Sequence, residues 1–336
     1  MKTICNGRKF ISINSEVSKQ VRRNCIVGYL ADIEYRSGDS FVGTDVRLFV
    51  AGGFVAAGGC IVFSFDSIMK IVLIGAGNVA THLGVALQRV GYSVVQVYSR
   101  TEESASALGA KLSVDYTVCI EEIRRDADLY IVAVKDAVLQ QLASALVKGR
   151  EQALFVHTAG SMPMDLWKGL VERYGVLYPM QTFSKQREVD FHAVPFFIEA
   201  SASEELERLH TVATRLSPKV YEATSCQRKH LHLAAVFACN FANHMYALSS
   251  HILEKQGIPF EVMLPLIEET AGKVHRLPPV QAQTGPAVRY DENVMSRHLD
   301  MLAEEAPLRD LYEKISKSIY DFSLAAASAN GEKKNP

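Results

Sequence analysis

The residues able to do chemistry fall into three sets. The first is Gly75-Ala76-Gly77-Asn78-Val79-Ala80, a G-x-G-x-x-A run that directly follows the aliphatic stretch Ile71 to Ile74. Glycine at 75 permits a tight turn, glycine at 77 lets a pyrophosphate approach the backbone, and alanine at 80 lets helix and strand pack closely. The phosphates would then rest on the free N–H groups that open the helix. Gly75, Ala76, Gly77, Asn78 and Val79 are therefore cofactor-binding candidates. The second set is Ser99-Arg100-Thr101. No acid stands there to take a ribose 2′-hydroxyl, whereas a guanidinium and two hydroxyls can hold a 2′-phosphate. This favours NADP over NAD.

The third set suits proton transfer. His230 to Leu253 contains no Lys, Arg, Asp or Glu, yet carries His232, Asn240 and Asn243. A charge-free helix is expected to be buried, in a domain core or a dimer interface. At 100° per residue, Lys229, His232, Val236, Asn240, Asn243 and Ala247 fall within one narrow arc. An imidazole titrates near 6.5 in its ordinary state, which suits a general acid/base. We expect His232 in that role and Asn240 orienting a substrate oxygen or nitrogen. Ser161, with nearby backbone N–H groups, would polarise that atom, and His157 is a second acid/base candidate. Asn243 is a substrate-binding candidate, and so is Arg289, which could clamp a carboxylate. The alternatives are a structural hydrogen-bond network for the stripe and a surface salt bridge for Arg289.

The elements that must position these groups read as follows. Ile71 to Ile74 is a buried parallel strand and Val79 to Val90 a helix. Ser93 to Tyr98 is the second strand, followed by a helix over Glu102 to Leu108, a short strand around Lys111 to Val114 and a helix near Ile120 to Arg124. Ala127 to Val134 is a strong buried strand. Ligands in such sheets bind beyond the strands' carboxyl ends, so Val134 and Lys135 are further cofactor candidates. Asp136 reads as the N-cap of the next helix. Ala153 to His157, Val176 to Phe183 and Val194 to Ile198 supply more strands, and the first domain closes near residue 200. Helices follow over Glu204 to Leu216, Cys226 to Lys255, Phe260 to Val274, Glu292 to Ala303 (capped by Asp291) and Leu308 to Ala327. The fold class is an α/β Rossmann domain (69–200) followed by an all-α C-terminal domain (201–328) and a disordered tail (329–336).

The chain has 336 residues, a net charge of −1 and 48% hydrophobic residues, which suits a two-domain globular protein and gives no electrostatic case for nucleic acid. Its six cysteines form no C-x-x-C pair, so we expect a reducing cytoplasm and no metal site. Residues 1–68 read differently, with scattered glycines and poor periodicity. Leu48 to Phe65 is uncharged and long enough to be a transmembrane candidate, though four glycines weaken it as a helix. Met69-Lys70 reads as a natural start, which makes residues 1–68 a mis-assigned start or a poorly ordered extension, with no membrane partner expected.

These motifs, together with His157-Thr-Ala-Gly-Ser161, Pro179-Met-Gln-Thr-Phe183 and Thr284-Gly-Pro-Ala-Val-Arg289-Tyr-Asp291, resemble the Rossmann-like proteins that carry a C-terminal helical domain of unknown function, DUF2520. The resemblance covers residues 69 to about 328. In layout the family is similar to pyrroline-5-carboxylate reductase, ketopantoate reductase and the β-hydroxyacid dehydrogenases. It implies an NADP-dependent oxidoreductase acting on a C=O or C=N bond of a small polar substrate in an interdomain cleft, and a homodimer formed through the helical domain. One departure stands out: the β-hydroxyacid dehydrogenases carry a catalytic lysine four residues before an asparagine, and here Val236 precedes Asn240 at that spacing. The alternative function is an NADP(H)-binding sensor or scaffold without catalysis.

Overall fold

A computed structural model of the chain describes residues 69–329, together with the strand segments Lys2–Asn6 (β1), Lys9–Ile13 (β2), Glu34–Ser37 (β3) and Ser40–Phe41 (β4). Those four segments pair antiparallel in the order β1-β2-β3-β4. The stretch Leu48 to Phe65 and the tail from 330 lie outside the described residues. Among the described residues, no helix is long and apolar enough to cross a membrane.

The chain divides into two compact units, residues 1–232 and 233–336. The first is built on an eight-stranded sheet of order β12-β11-β10-β9-β8-β5-β6-β7. Its strands are Lys70–Ile74 (β5), Ser93–Tyr98 (β6), Asp115–Thr117 (β7), Leu129–Val132 (β8), Leu154–His157 (β9), Tyr174–Pro179 (β10), Phe196–Ala200 (β11) and Val220–Glu222 (β12). β5 to β10 run parallel; β11 reverses against β10, and β12 runs parallel to β11. The strand order turns back between β5 and β8, which makes a switch point beside the glycine turn.

β5 shows why the sheet is covered on both faces. Ile71 and Leu73 enter one core, with Leu83 and Leu87 of helix α1 (Asn78–Arg89) and Leu112 of α2 (Glu102–Leu112). Val72 and Ile74 enter the other, with Leu139 and Leu146 of α3 (Asp136–Val147), Phe155 and Trp167. Alternation of side chains along a strand sends each set to its own face. The sheet and its helices do not stop near residue 200 as the sequence suggests. Helix α4 (Ser203–Leu216) sends Leu209 and Val212 into the first core, and β12 extends the sheet, so the α/β unit runs on to His232. The expected strand at Lys111 to Val114 forms instead at Asp115–Thr117, because α2 continues through Leu112 to Ser113, which turns left-handed. Ile120–Glu122 is a single 3-10 turn rather than a helix.

The second unit is helical. α5 (Ser225–Ala235) reaches into it through a π-helical stretch, Val236–Phe241, that continues as α6 (Ala242–Glu254). Leu264–Lys273 is α7, Pro279–Ala282 a single-turn α8, Glu292–Met301 α9 and Ala306–Ala329 α10. Asp291 caps α9 as its sequence position suggests, its Oδ1 accepting the Val294 N–H at 3.2 Å.

Candidate functional site

Tyr98, Ile74, Val132, His157, Val176 and Glu199 pair with one another in turn, so they form one row across β6, β5, β8, β9, β10 and β11. The first two sequence-selected sets, and the loops that carry the other cofactor candidates and Ser161, leave the sheet from members of this row. Ser99-Arg100-Thr101 follows Tyr98, the glycine turn follows Ile74, Val134-Lys135 follows Val132, and the loop to Ser161 follows His157. From the first of these strands to the fourth is three strand spacings, roughly 14 Å.

The glycine turn fits a pyrophosphate. Gly75 has φ +111°, and a Cβ there would lie 2.5 Å from the carbonyl oxygen of Ala133, so no other residue fits this turn without strain. Gly77 differs: a Cβ there would meet nothing within 4 Å. The packing of the protein itself does not require glycine at that position. Gly77 is the N-cap of α1, and the N–H groups that open the helix have no side-chain cap. Asn78 has another task. Its Nδ2 donates to the carbonyl of Phe183 at 2.8 Å, while His82 Nε2 contacts the Ser184 carbonyl at 2.9 Å and its ring stacks on Phe183. Side chains of α1 therefore fasten the loop after β10 beside the turn.

Arg100 is exposed, and among the described residues no hydrogen bond or ion pair engages it, so its guanidinium is available to an anion. Thr101 is the N-cap residue of α2 with its hydroxyl uncommitted to the helix. Lys135, not Asp136, holds the N-cap position of α3. Asp136 is the first helical residue, and its Oδ2 accepts a hydrogen bond from Ser161 Oγ. This ties the loop after β9 to the loop after β8.

His157 is fully buried rather than lining a cleft. Its Nδ1 accepts the N–H of Ala159 at 3.2 Å and its Nε2 faces the Pro163 carbonyl at 3.4 Å. Burial pushes its pKa down to about 3, with the Arg228 guanidinium adding to the fall and the Pro163 contact opposing it. It is a neutral ring with both nitrogens occupied, which shapes the turn from within and is unsuited to exchanging protons with a substrate.

His232 is placed differently. Its ring is partly exposed, Nδ1 lies 3.4 Å from the hydroxyl of Tyr178 on β10, and the two rings meet edge to face. A Cβ on Gly160 would come within 2.8 Å of His232 Nδ1 and of Tyr178 Cζ. The absence of that carbon lets the imidazole sit directly on the loop that bears Ser161. Tyr178 was not among the sequence candidates; its position within the Val176 to Phe183 strand was legible, but its contact with a helix 54 residues later was not.

The helix beyond His232 departs from uniform winding. Through Val236–Phe241 it is π-helical, so each residue advances by roughly 80° instead of about 100°. The constant winding on which the narrow arc rests therefore does not hold through this stretch. Nor is this helix buried within the chain: Leu233, Phe237 and Phe241 are 55%, 64% and 48% exposed. Among the described residues, no hydrogen-bond network engages Asn240 or Asn243. Arg289, at the end of a 3-10 turn, is exposed and also without a partner among the described residues.

Comparison with known proteins places this arrangement. A family model described as a Rossmann-like domain matches residues 65–180, and one described as a domain of unknown function, DUF2520, matches residues 194–319. A Bacteroides fragilis protein named as a candidate NADP oxidoreductase is 59% identical over 75% of this chain and 98% of its own, with a TM-score of 0.73. Two more distant structures share the fold. One is a Thermotoga maritima protein, 20% identical over 75% of this chain and 99% of its own, TM-score 0.64. The other is an imine reductase from Myxococcus stipitatus in complex with NADP+, 19% identical over 77% and 94%, TM-score 0.55. None of the curated proteins matches the chain. The chain belongs to the family of Rossmann-like proteins that carry the DUF2520 domain.

Proposed function

We propose that this protein is an NADP(H)-dependent oxidoreductase that acts on a C=O or C=N bond of a small polar substrate. The observation that carries the reading is the placement of His232. Its partly exposed ring is seated on Gly160, in a loop that leaves the sheet from the same row as the glycine turn. Bound cofactor would supply or accept a hydride. Gly75 to Val79 would hold its pyrophosphate, Ser99, Arg100 and Thr101 its 2′-phosphate, and Val134 and Lys135 would border it. The 59%-identical relative's name, an NADP oxidoreductase, supports this class.

The chain's own groups divide the remaining work. His232 Nε2 exchanges the proton that accompanies the hydride, with Nδ1 occupied by Tyr178. Asn240 orients the substrate heteroatom, and Ser161, steadied by Asp136, polarises it. His157 is assigned to shaping the loop, and Asn243 and Arg289 to binding the rest of the substrate. A second copy of the chain covers the apolar surface that Leu233, Phe237 and Phe241 expose. The rival reading, a cofactor-binding module without catalysis, would have an inaccessible His232.

Turnover is measured as loss of NADPH absorbance against a panel of cyclic imines and 2-keto acids. A substrate is expected whose kcat falls by on the order of 100-fold or more in both His232→Ala and Asn240→Ala. Unchanged turnover in both variants would overturn the assignment, and NADPH binding with no turnover across the panel would favour the sensor.

A further inference from the structure

One turn before His232 on α5 stands Arg228, whose side chain is completely buried. Its Nη1 donates to Glu199 Oε2 at 2.5 Å, its Nη2 to the Met162 carbonyl at 2.6 Å and to Ser225 Oγ at 3.2 Å, and its Nε to the Ala159 carbonyl at 3.3 Å. The two carbonyls bracket Gly160 and Ser161. Ser225 closes the network. Its N–H and hydroxyl donate to the two Glu199 carboxylate oxygens at 2.9 and 2.7 Å, and its hydroxyl accepts the Met164 N–H at 2.9 Å. One guanidinium thus joins three elements: β11 through Glu199, the loop after β9 through Ala159 and Met162, and α5, which carries His232.

Burying a guanidinium costs several kcal/mol unless every donor is met, and an ion pair is seldom kept for stability alone. What this fork uniquely supplies is geometry. Its planar donors fix the loop that carries Ser161 against the helix turn that carries His232. The imidazole itself rests against Tyr178 and the bare Gly160 backbone. We infer that Arg228, held by Glu199 and Ser225, is the positioning residue of the site, setting the separation between Ser161 and His232. The inference rests on the function proposed above. The loops after β5 and β6, proposed to hold the pyrophosphate and 2′-phosphate, make no hydrogen bond to this network among the described residues. The loop after β8 meets it only through Ser161 and Asp136, so affinity for those phosphates is the readout that separates positioning from cofactor binding.

Two variants test this. Arg228→Lys keeps the charge beside Glu199 but cannot reach both carbonyls. The double variant Glu199→Met/Arg228→Met removes both charges of the pair, so neither is left unpaired. In each folded variant, three readouts are taken: the His232 imidazole 1H–15N cross-peaks, assigned with His232→Ala; the NADPH dissociation constant; and kcat on 2-methyl-1-pyrroline. The expected result is displaced or split His232 cross-peaks and a kcat lower by on the order of 10- to 100-fold, with NADPH affinity within about twofold of the original. Unmoved cross-peaks in a folded variant would overturn the inference. So would NADPH affinity falling in step with kcat, because the role would then be general to the fold. If the unaltered protein does not reduce the imine, the functional reading is what fails for that substrate, and the cross-peaks alone decide the role of Arg228.

Discussion

His157 gives the sharpest test of the site's interior. Its folded pKa of about 3 lies below the 6.5 of an ordinary imidazole, so between these values the unfolded chain binds a proton that the folded chain refuses. Stability from this group is fully present above about pH 6.5 and is lost as pH falls toward 3. At roughly 1.4 kcal/mol per pH unit, the loss at pH 5 is about 2 kcal/mol, rising toward about 5 kcal/mol near pH 3. His157→Asn isolates the effect, because an amide oxygen can still accept the Ala159 N–H but does not titrate. The packing cost of the smaller side chain is the same at every pH and drops out of the difference. The chain's single tryptophan, Trp167, is buried in the same core as Phe155, so its fluorescence during urea unfolding reports on this unit. The stability advantage of the original protein over the variant should shrink by about 2 kcal/mol between pH 7 and pH 5. A difference that stays flat within about 0.5 kcal/mol would refute the neutral, buried His157 and the shaping role derived from it.

Three further outcomes are expected. Gly77→Ala should leave the melting temperature unchanged and weaken NADPH binding about tenfold or more, whereas Gly75→Ala, strained at φ +111° and crowded by Ala133, should cost about 1–3 kcal/mol of stability; equal melting temperatures would show the turn is misread. Arg100→Gln should weaken NADPH binding by roughly 10- to 100-fold and leave NADH binding unaltered, as fluorescence titration with both cofactors will reveal. Phe237→Asp combined with Phe241→Asp should halve the mass seen by analytical ultracentrifugation, and a mass unaffected by two buried carboxylates would rule out that surface as the dimer contact.

Much of the α/β unit was legible because its signals are local. An aliphatic run into G-x-G-x-x-A specifies strand, turn and helix within a dozen residues, and Ser99-Arg100 stands where the second strand must end. What escaped was long-range or broke a uniform rule. Constant winding at 100° cannot reveal a π turn, so the arc drawn along this helix does not hold through Val236–Phe241. Charge-free sequence between His230 and Leu253 reports that something covers the helix, not that the same chain does so. Arg228 was not among the sequence candidates, because apart from Ser225 its partners lie 29, 66 and 69 residues away. One signal was available: Thr224-Ser-Cys-Gln227 is a capping box, in which the Gln227 side chain accepts the Thr224 N–H at 2.9 Å and the Thr224 hydroxyl accepts the Gln227 N–H at 3.3 Å. It fixes the start of α5, and hence the turn on which Arg228 and His232 lie.

The row of paired residues from Tyr98 to Glu199 also acts as a ruler. The distance between the proposed 2′-phosphate end of the site and its proposed proton-transfer end is counted in whole strands, each held to its neighbour by backbone hydrogen bonds that only a proline substitution removes. On the proposed assignment, cofactor choice at Arg100 and chemistry at Ser161 can be redesigned separately, loop by loop. Changing the reach between them would require adding or deleting a strand.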